Sequence, residues 1–197
     1  MYILILYYSR HGSTRALAHQ IAAGVNSGGD VESMVRTVPP VTFETDATRP
    51  TIPESGDPYV TLEELRHCSG LALGSPTRFG NMAAPLKHFI DSTSELWASG
   101  ALIDKPFSVF TSSNSLHGGQ ESTLLSMALP LIHHGMLWVG VPYSVNSMMR
   151  TQTGGSPYGP SHWAHSATTA LSTEEKETAR ALGQRLANIA KTLEHLR

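Results

Sequence analysis

The 197-residue chain carries a single cysteine, Cys68. One thiol excludes an intramolecular disulfide and fits a reducing compartment, so a cytoplasmic protein is expected, with Cys68 packed as a small apolar side chain. Long hydrophobic runs are missing as well. Stretches such as Tyr2–Tyr8 fall far short of the ~20 residues of a bilayer span. Met1 leads straight into that run, with no basic segment and no small-residue cleavage site, so no signal peptide is expected. Charge of one sign is also lacking: 14 Lys and Arg are scattered among 16 Asp and Glu, for a formal net charge of −2. Nucleic acid requires a phosphate-matching cationic patch, and docking of a charged redox protein requires a strongly one-signed face. Neither is visible, and the balance favours a small-molecule substrate.

Several catalytic signatures are absent too. There is no Gly-x-x-x-x-Gly-Lys, no Gly-x-Gly-x-x-Gly and no Gly-x-Ser-x-Gly. A triphosphatase loop, a dinucleotide fingerprint and a serine-hydrolase elbow are thereby disfavoured. Ten histidines invite a metal reading, yet no His/Cys/carboxylate set shows ligand spacing, and no metal is expected.

What is present is an alternation of apolar runs and helical patterns without repeat or domain break, read as one domain over residues 1–197. Tyr2–Tyr8 is a continuous β-rich run typical of a strand buried on both faces. Ser13 or Thr14 then opens a helix whose Leu17, Ile21 and Val25 share one face, ended by Gly28 and Gly29. Strands are expected at Val31–Val35, Leu71–Gly74, Phe107–Phe110 and Met136–Val139. Helices are expected over Met82–Trp97, with Pro85 in its first turn, and over Gln120–His134, kinked or broken at Pro130. A final helix is expected behind a Ser172/Glu175 capping box, with Leu182, Leu186, Ile189 and Leu193 buried. From Thr37 to Tyr59 a Pro-rich excursion reads equally as surface loop or subunit contact. Val141–His165 reads as a loop. Strand–helix alternation repeated in this way implies an α/β doubly wound parallel sheet of flavodoxin-like order 2-1-3-4-5, with helices on both faces. Ligands bind such sheets at the carboxyl ends of the strands, where strand order reverses.

That corner receives three polar loops. Ser9, Arg10, His11, Gly12, Ser13 and Thr14 follow the first strand. Their hydroxyls, one glycine and the free N–H groups of a helix start can surround a phosphate monoester. Plain N-capping by Ser13 or Thr14 is the competing reading. Pro76, Thr77, Arg78, Phe79 and Gly80 follow the third strand, where Thr77 and backbone N–H groups can face a heterocycle edge and Phe79 can cover a ring or plug the core. Ser112, Ser113, Asn114, Ser115, Leu116, His117 and Gly118 follow the fourth strand and suit a polar planar ring, or a polar surface loop. His133 and His134 end the next helix. Adjacent helical residues diverge, so at most one can face the site, and dipole pairing is the alternative.

Gly74–Met82 (GSPTRFGNM), Leu96–Leu102 (LWASGAL), Gly118–Glu121 (GGQE) and His133–Met136 (HHGM), with Gly154–Gly159 (GGSPYG), closely resemble the WrbA-type NAD(P)H:quinone oxidoreductases. The resemblance runs from the first strand to about Gly159. It implies non-covalent FMN, reduction of a quinone by NADH or NADPH in a ping-pong hydride relay, and a homotetramer. A flavodoxin-type electron carrier and a non-catalytic regulatory flavoprotein are the alternatives. By that resemblance the FMN phosphate falls on Ser9–Thr14, the ring on Thr77–Phe79 and Ser112–Gly118, and a flavin-side histidine on His133. Trp97 matches a substrate-pocket aromatic contributed across a subunit boundary; read from its position alone, it fits a core anchor at the end of its helix equally well. His11 stands where many members carry a tyrosine linked with nicotinamide binding.

Overall fold

The computed structural model describes residues 1–41, 53, 55–165 and 169–194. Most of the Pro-rich excursion lies outside the described residues. Six parallel strands form the sheet: β1 (Tyr2–Tyr7), β2 (Glu32–Thr37), β3 (Gly70–Pro76), β4 (Pro106–Ser113), β5 (Leu137–Trp138) and β6 (Ser161–Trp163). The order is β2-β1-β3-β4-β5, with β6 pairing the far end of β4. The expected flavodoxin-like order is therefore observed, with one short strand added.

The register follows from period two. In β1, Ile3, Ile5 and Tyr7 point into one core, shared with Leu17, Ile21, Leu182 and Leu186 of helices α1 (Ser13–Asn26) and α7 (Thr173–Glu194). Leu4 and Leu6 point into the other, with Leu71, Leu86 and Leu131. Helices α1 and α7 touch backbone to backbone. A Cβ at Gly183 would collide with the Ile21 carbonyl, and one at Gly24 with that of Arg180.

Helices α2 (Leu62–His67), α3 (Ala84–Asp91), α4 (Ser94–Ala98), α5 (Gln120–His133) and α6 (Ser147–Arg150) complete the fold. The structure adds detail to the sequence reading and departs from it in places. The single helix expected over Met82–Trp97 is two, because the buried Thr93 hydroxyl donates to the Ile90 carbonyl at 2.7 Å and ends α3. Helix α5 runs through Pro130, so the break is not formed and only the kinked form of the expectation stays open. Helix α2 was not expected, although Thr61 and Glu64 form a complete capping box ahead of it. Strands β3 and β4 run on through Pro76 and Ser113, so the first residues of two expected loops are sheet, and the region read as a loop after Val141 contains α6 and β6.

Candidate cofactor site

At the carboxyl ends of β1, β3 and β4 lies a cavity of about 460 Å³, within the usual range for a small-molecule site. It is lined by Ser9, Arg10, His11, Ser13 and Thr14 from the first loop, and by Pro76, Thr77 and Arg78 from the second. Ser112, Ser113, Asn114, Ser115 and Gly118 contribute from the third. The three loops meet in one place.

The first loop is shaped for an anion. Helix α1 begins at Ser13, and its N-cap is Gly12 in the left-handed region (φ 94°), a residue without a side chain to cap the first turn. Ser13 and Thr14 therefore stand inside the helix and not at its N-cap position. Ser9 Oγ accepts from the Gly12 N–H at 3.0 Å. Thr14 Oγ1 lies 2.9 Å from Ser112 Oγ, tying the first loop to the third. The positive end of α1 opens on the cavity.

The walls for a planar ring are held rigidly. The Thr77 N–H donates to the Ser112 carbonyl at 2.9 Å, and the Thr123 hydroxyl reaches Thr77 Oγ1 at 2.7 Å. Arg78 Nη1 donates back to the Thr77 carbonyl at 2.8 Å. Gln120 Nε2 donates to Ser113 Oγ at 2.9 Å, and Ser113 Oγ donates to the Ser115 carbonyl at 2.8 Å. Phe79 is 106% exposed and sits at φ 54°, a costly region for a side-chain-bearing residue. A core plug is excluded, and the ring stands free to cover a ligand. Gly80 follows it, while Leu116 and His117 stay on the exposed rim.

The electrostatics suit a phosphate. No acidic side chain lines the cavity among the described residues, whereas Arg10 and Arg78 do. Behind the first loop lies Asp57, which accepts from Tyr7 Oη at 2.6 Å and from Arg15 Nε at 3.3 Å. Burial pushes the Asp57 pKa up, but the Tyr7 hydrogen bond and the His19 and Arg15 charges outweigh it and hold it below the usual carboxylate value. Burial and Asp57 together raise the Tyr7 phenol. The hydroxyls, backbone donors and cations fit a phosphate-bearing flavin.

Sequence reasoning missed the segment that closes this corner. Ala164 lines the cavity, and β6 is bonded along Thr111–Ser113. Glu175, 1% exposed, holds it there. One carboxylate oxygen accepts from the Gly154 and Trp163 N–H groups at 2.9 and 3.1 Å. The other accepts from the Ser172 N–H at 2.9 Å and from His162 Nδ1 at 2.8 Å, the carboxylate being able only to accept. Burial opposes ionisation, but the His162 hydrogen bond, then the Ser172 N–H, the His162 charge and the Trp163 N–H, keep the Glu175 pKa below the usual value. Trp163 Nε1 also donates to the Asn114 carbonyl at 3.1 Å. The capping box was visible in the sequence; its burial was not.

Two predicted residues are not brought to the cavity. His133 ends α5, a 14-residue helix that spans about 20 Å from its start at the rim. Trp97, 60% exposed, donates through Nε1 to the His133 carbonyl at 3.0 Å, so both belong to one patch at the opposite end of the sheet. The flavin-side place expected for His133 is therefore not reached within one chain. Its neighbour His134 is buried against Thr93, with Nε2 2.9 Å from Thr93 Oγ1. Burial, then the charge of His133, lowers its pKa.

Residues 1–148 match the family of NADPH-dependent FMN reductases. The chain belongs to that family. It is 42% identical over 201 aligned residues to a protein of Syntrophobacter fumaroxidans named NAD(P)H dehydrogenase (quinone), covering 98% of both chains. A protein of the same name from Geotalea daltonii is 41% identical, over 96% of this chain and 97% of that one. Among solved structures, a flavodoxin, WrbA-like protein from Agrobacterium tumefaciens superposes with a TM-score of 0.68 at 26% identity, over 97% and 98% of the two chains. An archaeal flavodoxin at 21% identity and TM-score 0.64 shares the fold.

Proposed function

We propose that this FMN reductase family member is an FMN-dependent NAD(P)H dehydrogenase that reduces quinones. The observation that carries the reading is the meeting of a helix start with a glycine N-cap, two polar strand ends and two arginines in one cavity that no acidic residue lines among the described residues. Ser9–Thr14 hold the phosphate. Thr77, Arg78 and Ser112–Gly118 hold the ring edges, and Phe79 covers the ring. When bound, FMN supplies the capacity to accept a hydride equivalent from NAD(P)H and return two electrons to a quinone. The chain's own residues bind and orient it, and donate hydrogen bonds where negative charge develops. The donor and the quinone use the same face in turn, a ping-pong order.

The protein works as a homotetramer in the cytoplasm, where one subunit's cavity meets another's Trp97 and His133. Support comes from the exposed apolar side chains at that end, Trp97, Leu125, Leu129 and Ile132, the last three spaced along α5.

The test is optical. FMN-loaded protein should be bleached anaerobically by NADH or NADPH and recoloured by one equivalent of benzoquinone per flavin. A protein that takes up no FMN, or a bound flavin that neither donor bleaches, contradicts the reading. Recolouring that needs a protein oxidant instead would favour an electron carrier.

A further inference from the structure

Next to the cofactor cavity, and sharing Arg10 and Arg78 with it, lies a second hollow of about 560 Å³ at the start of α3. Its floor is apolar, made by Met82, Ala83 and Pro85, and Tyr8 stands at one side. Lys87 completes a rim of three cations. We propose that this hollow holds the pyrophosphate and adenosine end of NADH or NADPH while the nicotinamide reaches the cofactor cavity.

The inference rests on the NAD(P)H dehydrogenase reading and adds to it the place of the donor's phosphates. Charge is the first argument. In a chain of net charge −2, this hollow gathers three cations, and no acidic residue lines it among the described residues. Arg10 and Arg78 are shared with the cofactor cavity, whereas Lys87 lines this hollow alone and is the cation free to meet a second phosphorylated molecule. One counter-charge is present: Asp91 pairs with Lys87 at 2.6 Å, one turn further along α3. Both partners are about half exposed, so the pair is weak and Lys87 can turn to a competing phosphate.

Helix α3 adds to the field. It begins beside the hollow, and its N-cap, Ala83, makes no side-chain cap. Pro85 removes one N–H and the Leu86 N–H is taken by the Ala83 carbonyl at 3.0 Å, so the contribution is that of the helix dipole. Continuity is the second argument. Arg10 and Arg78 form the wall between the hollows, so a dinucleotide crossing it passes both guanidiniums, which suit a pyrophosphate. The apolar floor and Tyr8 offer adenosine a surface.

Lys87 isolates this subsite, because it lines the hollow and not the cofactor cavity. The experiment compares FMN-loaded wild type, Lys87→Glu and Lys87→Arg with three donors: NADH, NADPH and N-benzyl-1,4-dihydronicotinamide, which carries no phosphate. Lys87→Glu should raise KM for NADH and NADPH about tenfold, the scale of a charge reversal beside a bound anion, with kcat unchanged. Lys87→Arg should restore it. Turnover of the phosphate-free donor should stay at the wild-type level, and added salt should raise KM for the two dinucleotides alone. An unchanged KM in Lys87→Glu, or an equal loss with all three donors, overturns the subsite. A wild-type flavoprotein that oxidises none of the donors fails earlier, and takes the dehydrogenase reading with it.

Discussion

The two ends of helix α5 show how differently one chain can finish its surfaces. At the start, Gly119 and Thr123 join the Thr77 wall, and the neighbouring loops bond to one another around a defined cavity. At the other end, His133 and Ile132 stand exposed beside Trp97, with the apolar Leu129 a turn earlier. The cavity end is complete in a single copy. The Trp97 end faces outward, as a surface does that is finished by another subunit. On the proposed reading, a cofactor binds one chain alone, whereas the substrate chamber is built from two.

The largest break in that contrast should come from the closed end. Glu175→Ala leaves His162 and three backbone N–H groups buried without their acceptor, a loss of about 3–5 kcal/mol. Urea unfolding of the variant should show it as a lower midpoint, with the 151–165 segment the first to lose hydrogen-exchange protection. Replacing Ser9 and Thr14 together with Ala should weaken FMN binding by roughly 1–3 kcal/mol, read as a rise in the FMN dissociation constant. An unaltered constant would remove the phosphate role of this loop.

The open end should respond in the opposite way. Leu129→Asp should shift the protein to smaller species in light scattering and cut quinone turnover, with the FMN dissociation constant unmoved. His133→Ala should slow turnover about tenfold, again with FMN binding intact; equal rates in both half-reactions would dismiss it. The smallest effect is on pH. Because the folded-state pKa of Glu175 lies below its ordinary 4.5, its contribution is full above that value and is lost as pH falls through the folded pKa. The melting temperature should drop on acidification below about pH 4.5 in the wild type, and less steeply in Glu175→Gln.

Much of the closed end was legible in the sequence. Hydroxyl and glycine clusters directly after buried apolar runs reveal strand ends facing a ligand, and Ser9–Thr14, Thr77–Arg78 and Ser112–Ser115 came together for that reason. What stayed hidden depends on long-range contact. Strand β6 has only three residues and is fixed by pairing with Thr111–Ser113, so no local periodicity announces it. Glu175 reads as a cap from its spacing to Ser172, while its burial depends on Gly154 and His162, which lie well before it in sequence. His133 was legible as a motif, but its distance from the cavity of its own chain was not, because a helix of 14 residues carries its last side chain about 20 Å from its first.

The claim that the cofactor end and the Trp97–His133 end of different copies form one working site can be tested by complementation. The Ser9→Ala/Thr14→Ala double variant lacks a competent cofactor loop, and a Trp97→Ala/His133→Ala double variant lacks a competent outer face. Each alone should reduce benzoquinone slowly with NADH. Co-expressed in one cell and purified as mixed oligomers, they should regain turnover well above the sum of the two parents, since some cavities then pair an intact loop with an intact partner face. Mixed oligomers whose activity equals that sum would contradict the account.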